Sequence, residues 1–134
     1  MNGGRVQMLK VIVWILVGLA VLIAGVIAFG MVGRRAGETL PIGSVDFSKL
    51  TDGEYNGQYK SGRWSNRVRV TVDSGRVTGI DVVKDVLFPQ PEVRRKTVEL
   101  VIEAQSLQVD VVSGATITAK AYLKAVENAL TGSD

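Results

Sequence analysis

A chain of 134 residues with a net charge of +3 has room for one small folded domain beside a membrane segment. It contains neither cysteine nor histidine. That excludes thiolate and imidazole catalysis, zinc sites of the usual nitrogen–sulfur type, iron–sulfur ligation and haem attachment through Cys-x-x-Cys-His, and leaves redox chemistry to an organic cofactor.

The N-terminal flank, residues 1–10, leads into Val11 to Val32, which carries neither charge nor proline. As a helix this stretch would measure roughly 33 Å, enough to cross a hydrocarbon core of about 30 Å. It is also much longer than the apolar part of a secretory signal, so residues 11–32 read as a single-pass transmembrane anchor. Arg5 and Lys10 flank one end and Arg34 and Arg35 the other, so the positive-inside rule leaves the orientation open. Residues 34–134 hold 14 Lys/Arg and 13 Asp/Glu, so the basic balance of the chain lies largely at the membrane flanks. Arg63, Arg67 and Arg69 beside Trp64 read as the solvated face of a strand, and no nucleic-acid partner is expected.

Residues 33–49, broken by Gly37, Pro41 and Gly43, read as a tether, and folding is expected over residues 50–134. Asp52-Gly53 makes a turn, and Tyr55 to Ser61 a strand interrupted by Gly57. Arg67 to Val72 alternates polar and apolar, which predicts a half-buried strand with Val68, Val70 and Val72 inward. Asp73-Ser74-Gly75 closes a hairpin onto Val77 to Val83. Pro91 opens a helix to about Gln105, with Val93, Thr97, Leu100, Val101 and Ala104 on its buried face. A last helix runs from about Thr118 to Leu130 and buries Tyr122, Val126 and Ala129. The fold class is α+β: helices packed on a small antiparallel sheet, preceded by one transmembrane helix.

The residues before that last helix, Asp110-Val111-Val112-Ser113-Gly114-Ala115-Thr116, place bare backbone and one hydroxyl at a helix mouth. Unpaired N–H groups and the positive end of the dipole suit phosphate there, and Gly114 and Ala115 permit close approach; a side chain at Gly114 would crowd the anion. Thr118 is a competing hydroxyl, although its more natural role is helix N-cap.

Asp-x-x-Ser-Gly-Ala-Thr in this position resembles the flavinylation motif of the FMN-binding domains. These occur in subunits of the sodium-pumping quinone reductase, in its ferredoxin-oxidising relatives and in small membrane-anchored electron carriers. The resemblance runs from about Leu50 to Leu130 and includes Asp52-Gly53-Glu54-Tyr55-Asn56-Gly57 at its entry. It implies FMN joined through a phosphodiester to Thr116, by a separate flavin transferase that uses FAD and a divalent metal and releases AMP. Asp110 and Ser113 would shape the loop or present it to that enzyme, since nothing local supplies a base for Thr116.

The family usually carries Glu-Thr-Pro-Gly between hairpin and helix. Here that loop reads Val86-Leu87-Phe88-Pro89-Gln90-Pro91, which keeps a proline and lacks the Glu and Gly. Phe88 and Pro89 become candidates for packing on the flavin ring and Gln90 for bonding its polar edge, with Tyr55 and Asn56 as further candidates. No catalytic residue and no metal site is expected. The implied role is an electron carrier in the cell membrane with its domain on the extracytoplasmic side. It would exchange electrons with redox proteins or a quinone-linked membrane reductase. A membrane-anchored interaction module, a noncovalent flavin binder and an accessory subunit of a larger reductase remain alternatives.

Overall fold

The computed structural model describes residues 2–31, 40–111 and 114–133. The chain divides into an N-terminal helical unit and a folded unit spanning Gly33–Asp134. Helix α1 (Asn2–Met31) is 30 residues long, or roughly 45 Å. It is apolar on every face from Val11 to Met31 and exposes Trp14, Leu16, Leu22 and Phe29. A helix of this kind is long and apolar enough to cross a membrane.

The folded unit is α+β, as the periodicities predict. Strands β1 (Gly53–Tyr59), β2 (Asn66–Asp73) and β3 (Arg76–Lys84) form an antiparallel sheet in the order β1-β2-β3. Val68, Val70 and Val72 of β2 are buried, and Arg67 and Arg69, which alternate with them, are exposed. The β2–β3 turn is Ser74-Gly75, with φ of 53° and 73°. Positive φ at both positions is the conformation that matches the twist of a two-residue hairpin. Asp52 supports it by accepting the Ser74 N–H at 2.8 Å.

Helix α2 (Pro91–Ala104) and helix α3 (Thr116–Thr131) pack on the sheet, α3 across β1 and β2 and α2 against α3 and β3. Ala121, Ala125 and Ala129 recur every four residues on α3 and are all buried. Small side chains bring the helix axis close to the sheet. The closest approach falls on Gly57 of β1, where a Cβ would overlap the backbone of Ala125 and Ala129. Gly57 interrupts the strand pattern because α3 occupies the space of its side chain.

Some boundaries differ from those read off the sequence. β1 ends at Tyr59, since Ser61 opens a 3-10 turn at Gly62–Trp64, where Gly62 has φ +53°. Arg63 therefore lies on this turn and not on the strand face it shares in sequence with Arg67 and Arg69. Ala104 is exposed instead of buried, because Gln105 turns left-handed (φ 49°) and Val98, Ile102 and Leu107 pack on the core. The Gln105 side chain then acts as a strand neighbour for β3: Nε2 donates to Val77 O at 2.9 Å and Oε1 accepts Val77 N–H at 2.8 Å. Packing also reaches upstream of Leu50. Phe47 is buried in the core, with Ile42 and Val45 against it. Asp46 caps the short turn at Phe47–Lys49, and the Ser48 hydroxyl and N–H that it accepts hold its carboxyl below the usual range.

Candidate functional site

Three segments meet around a cavity of about 650 Å³, a size suited to a drug-sized or cofactor-sized ligand. The 3-10 turn supplies Arg63 and Trp64, the loop after β3 supplies Val86, Phe88 and Gln90, and the mouth of α3 supplies Gly114 to Thr118.

The first wall is held by backbone and by a buried amide. Leu87 N–H donates to Arg63 O at 2.9 Å, clamping turn and loop together. Asn66 donates to Trp64 O and, at 3.1 Å, to Ala121 O, fixing the turn to α3. Trp64 is buried, and the Arg63 guanidinium lies over its ring at 4.3 Å from the centroid and 5.9 Å from that of Phe88. Arg63 Nε is buried without a hydrogen-bond partner, a state that costs about 1–3 kcal/mol for an unpaired donor.

The second wall hangs from Asp85. Its carboxylate accepts from the Tyr122 hydroxyl, from Arg94 Nη1 and, at 2.8 Å, from Val86 N–H, joining loop, α2 and α3 at one point. Burial and then the Asp85 carboxylate push the Tyr122 phenol well above its ordinary value, so it remains a neutral donor. Phe88, by contrast, is exposed at the rim together with Leu87.

The third wall is the start of α3. Gly114 turns the chain with φ +83°, Ala115 takes the N-cap position and Thr116 is the first helical residue. The earliest intrahelical bond is Ala119 N–H to Ala115 O at 2.9 Å, so the N–H groups of residues 116–118 have no acceptor within the helix. Thr118 is consequently not the N-cap: the helix begins two residues earlier, and Thr118 is buried in its first turn. Among the described residues no side chain caps α3, and its positive end faces the cavity. A Cβ at Gly114 would stand in open space, so the visible requirement for glycine is its positive φ and not crowding by protein atoms.

Of the residues singled out in the sequence, Thr116, Gly114, Ala115, Thr118, Phe88 and Gln90 converge on the cavity. Pro89 is exposed beside it, and Ser113 lies outside the described residues. Asp110 is exposed and lines a separate cavity of about 450 Å³ with Ile42, Gln108 and Leu123. Tyr55 and Asn56 also sit elsewhere, on opposite faces of β1 as consecutive strand residues must. Tyr55 pairs with Val70 and packs on the core, its hydroxyl donating to Thr51 O. Asn56 pairs with Arg69 on the exposed face. Val86 and Ile117 line the cavity without having been site candidates, and so do Arg63 and Trp64, which the sequence placed on a strand face. For Arg63 and Trp64 the signal was Gly62, whose positive φ takes both side chains off the strand.

A family model described as FMN-binding domain matches residues 62–131, a span that contains all three walls. Comparison with curated proteins gives no match. More than half of the chain is covered by the family model, and the protein belongs to the FMN-binding domain family.

Proposed function

We propose that this protein is a membrane-anchored electron carrier whose FMN is joined by a phosphodiester to Thr116, with the folded domain on the extracytoplasmic side. The observation that carries the reading is the position of Thr116, in the first turn of a helix that no described side chain caps, on the wall of a cavity of about 650 Å³ with aromatic sides.

The residues present fit the group. Thr116 to Thr118 offer N–H groups without an acceptor in the helix, and the positive end of α3, to a phosphate, while Trp64, Val86 and Phe88 offer apolar surface to a ring system. FMN, when bound, supplies one- and two-electron redox chemistry. The chain's own contribution is to bind and orient. The cavity walls present a guanidinium, two threonine hydroxyls, one amide and apolar surface, and none of these is a general acid or base near neutral pH. That composition favours electron transfer over substrate turnover. The apolar α1 supports membrane anchoring.

Attachment falls to a separate flavin transferase acting on FAD with a divalent metal. The Thr116 Oγ1–phosphorus bond forms, the pyrophosphate bond of FAD breaks, AMP leaves, and the hydroxyl proton passes to a base of that enzyme. Asp85, engaged by Tyr122 and Arg94, is not placed to take it. Co-expression with a flavin transferase followed by intact mass under denaturing conditions tests the reading. The parent chain gains an FMN-sized increment that Thr116→Ala loses and Thr118→Ala keeps. An increment that persists in Thr116→Ala overturns the assignment, and no increment in the parent overturns covalent attachment.

A further inference from the structure

We infer that Arg63 is the residue that pairs with the phosphate of the flavin nucleotide, an inference that rests on the FMN reading of this cavity. Arg63 shares the cavity with Thr116 and the open N-terminus of α3. Its guanidinium face is used: it lies over Trp64 and beside Phe88. Its edge is not used, because Nε is buried without a partner and no carboxylate pairs with Arg63 among the described residues. Asp85, the acidic group of the adjoining loop, is already taken by Arg94, Tyr122 and Val86 N–H.

A stacked guanidinium with a free edge is a planar fork suited to two oxygens of one phosphate. Of the parts of an oxidised flavin nucleotide, the phosphate carries the negative charge and the ring is neutral. The cation and the helix end are both electropositive, so the cavity they share favours an anion at the point where they meet. The turn is stiff enough to hold the cation there, since Leu87 N–H and Asn66 both bond its carbonyls. Arg67 and Arg69 lack this role: they stand on the exposed face of the sheet.

The test compares FMN with riboflavin, which lacks the phosphate. Full-length Thr116→Ala protein in detergent is titrated with each, following flavin fluorescence, with Arg63 intact and as Arg63→Met or Arg63→Lys. Methionine keeps an apolar stem on Trp64 and removes the charge. Arg63→Met is expected to weaken FMN about tenfold and to leave riboflavin unchanged, with Arg63→Lys between. Equal losses for both flavins, or none, overturn the inference while leaving the FMN reading intact. A second measurement uses covalently loaded protein, where the phosphorus NMR resonance of the phosphodiester should move in Arg63→Met; an unmoved resonance also overturns it. A parent that neither binds FMN nor becomes loaded sinks both readings together.

Discussion

Tyr122 and Arg94 both end on Asp85, and this one carboxylate ties the cavity loop to two helices. Tyr122→Phe removes the phenolic donor while Arg94 and Val86 N–H remain, so the expected loss is about 1 kcal/mol, the central value for one hydrogen bond. For a domain of this size that lowers the melting temperature by roughly 4–8 °C, read by near-UV circular dichroism of the full chain in detergent. The pH dependence reports the burial of the phenol together with its bond to Asp85. In the folded protein the phenol is held neutral above its ordinary value of 10.0. Below pH 10 the stabilisation is fully present. As pH rises past 10, the unfolded phenol ionises and the folded one does not, so stability falls. Tyr122→Phe lacks this decline, and the two proteins should converge above pH 10; a constant gap would show that the folded phenol ionises at its ordinary value.

Between elements, the docking of α3 on the sheet decides the site, because the helix carries Thr116 at one end and the alanine stripe along its length. Gly57 is where that docking is tightest. Gly57→Ala sets a methyl against helix backbone, which cannot rotate away as a side chain can. The cost is expected at the upper end of overpacking, about 3 kcal/mol, with a melting temperature lower by more than ~10 °C. Thermal unfolding of the two proteins measures it, and a change below a few degrees would mean that α3 retreats freely from β1. A retreat of that kind would also loosen Asn66 from Ala121 O and Asn128 from Gln58 O, which join α3 to the neighbouring turn and strand.

For the whole molecule, the question is which side of a membrane the folded domain occupies. The charges on either side of the apolar stretch 11–32 are balanced, so the side is a matter for measurement. The chain contains no cysteine, which makes a single introduced thiol an unambiguous reporter. Ser133→Cys stands at an exposed position just beyond α3. An extracytoplasmic domain predicts labelling by a membrane-impermeant maleimide on intact cells; labelling only after lysis would place the domain in the cytoplasm.

Periodicity alone determined the apolar N-terminal helix, the β2–β3 hairpin with Val68, Val70 and Val72 inward, and the two helices of the domain. Each of these is a local pattern of burial along one element. The Thr116 end of the site was legible for a similar reason: Gly114-Ala115-Thr116 before an apolar helix has a local physical meaning at a helix mouth. The other walls were not legible. Arg63 reads as one of three arginines on a strand until Gly62 takes it off the strand. Asp85 carries no signal at all in sequence, since its partners Arg94 and Tyr122 lie 9 and 37 residues away. Long-range packing of α3 on β1 and β2 decided which of these side chains share a cavity. No stretch of sequence encodes that by itself, because a contact between distant residues depends on the register and approach of both elements at once.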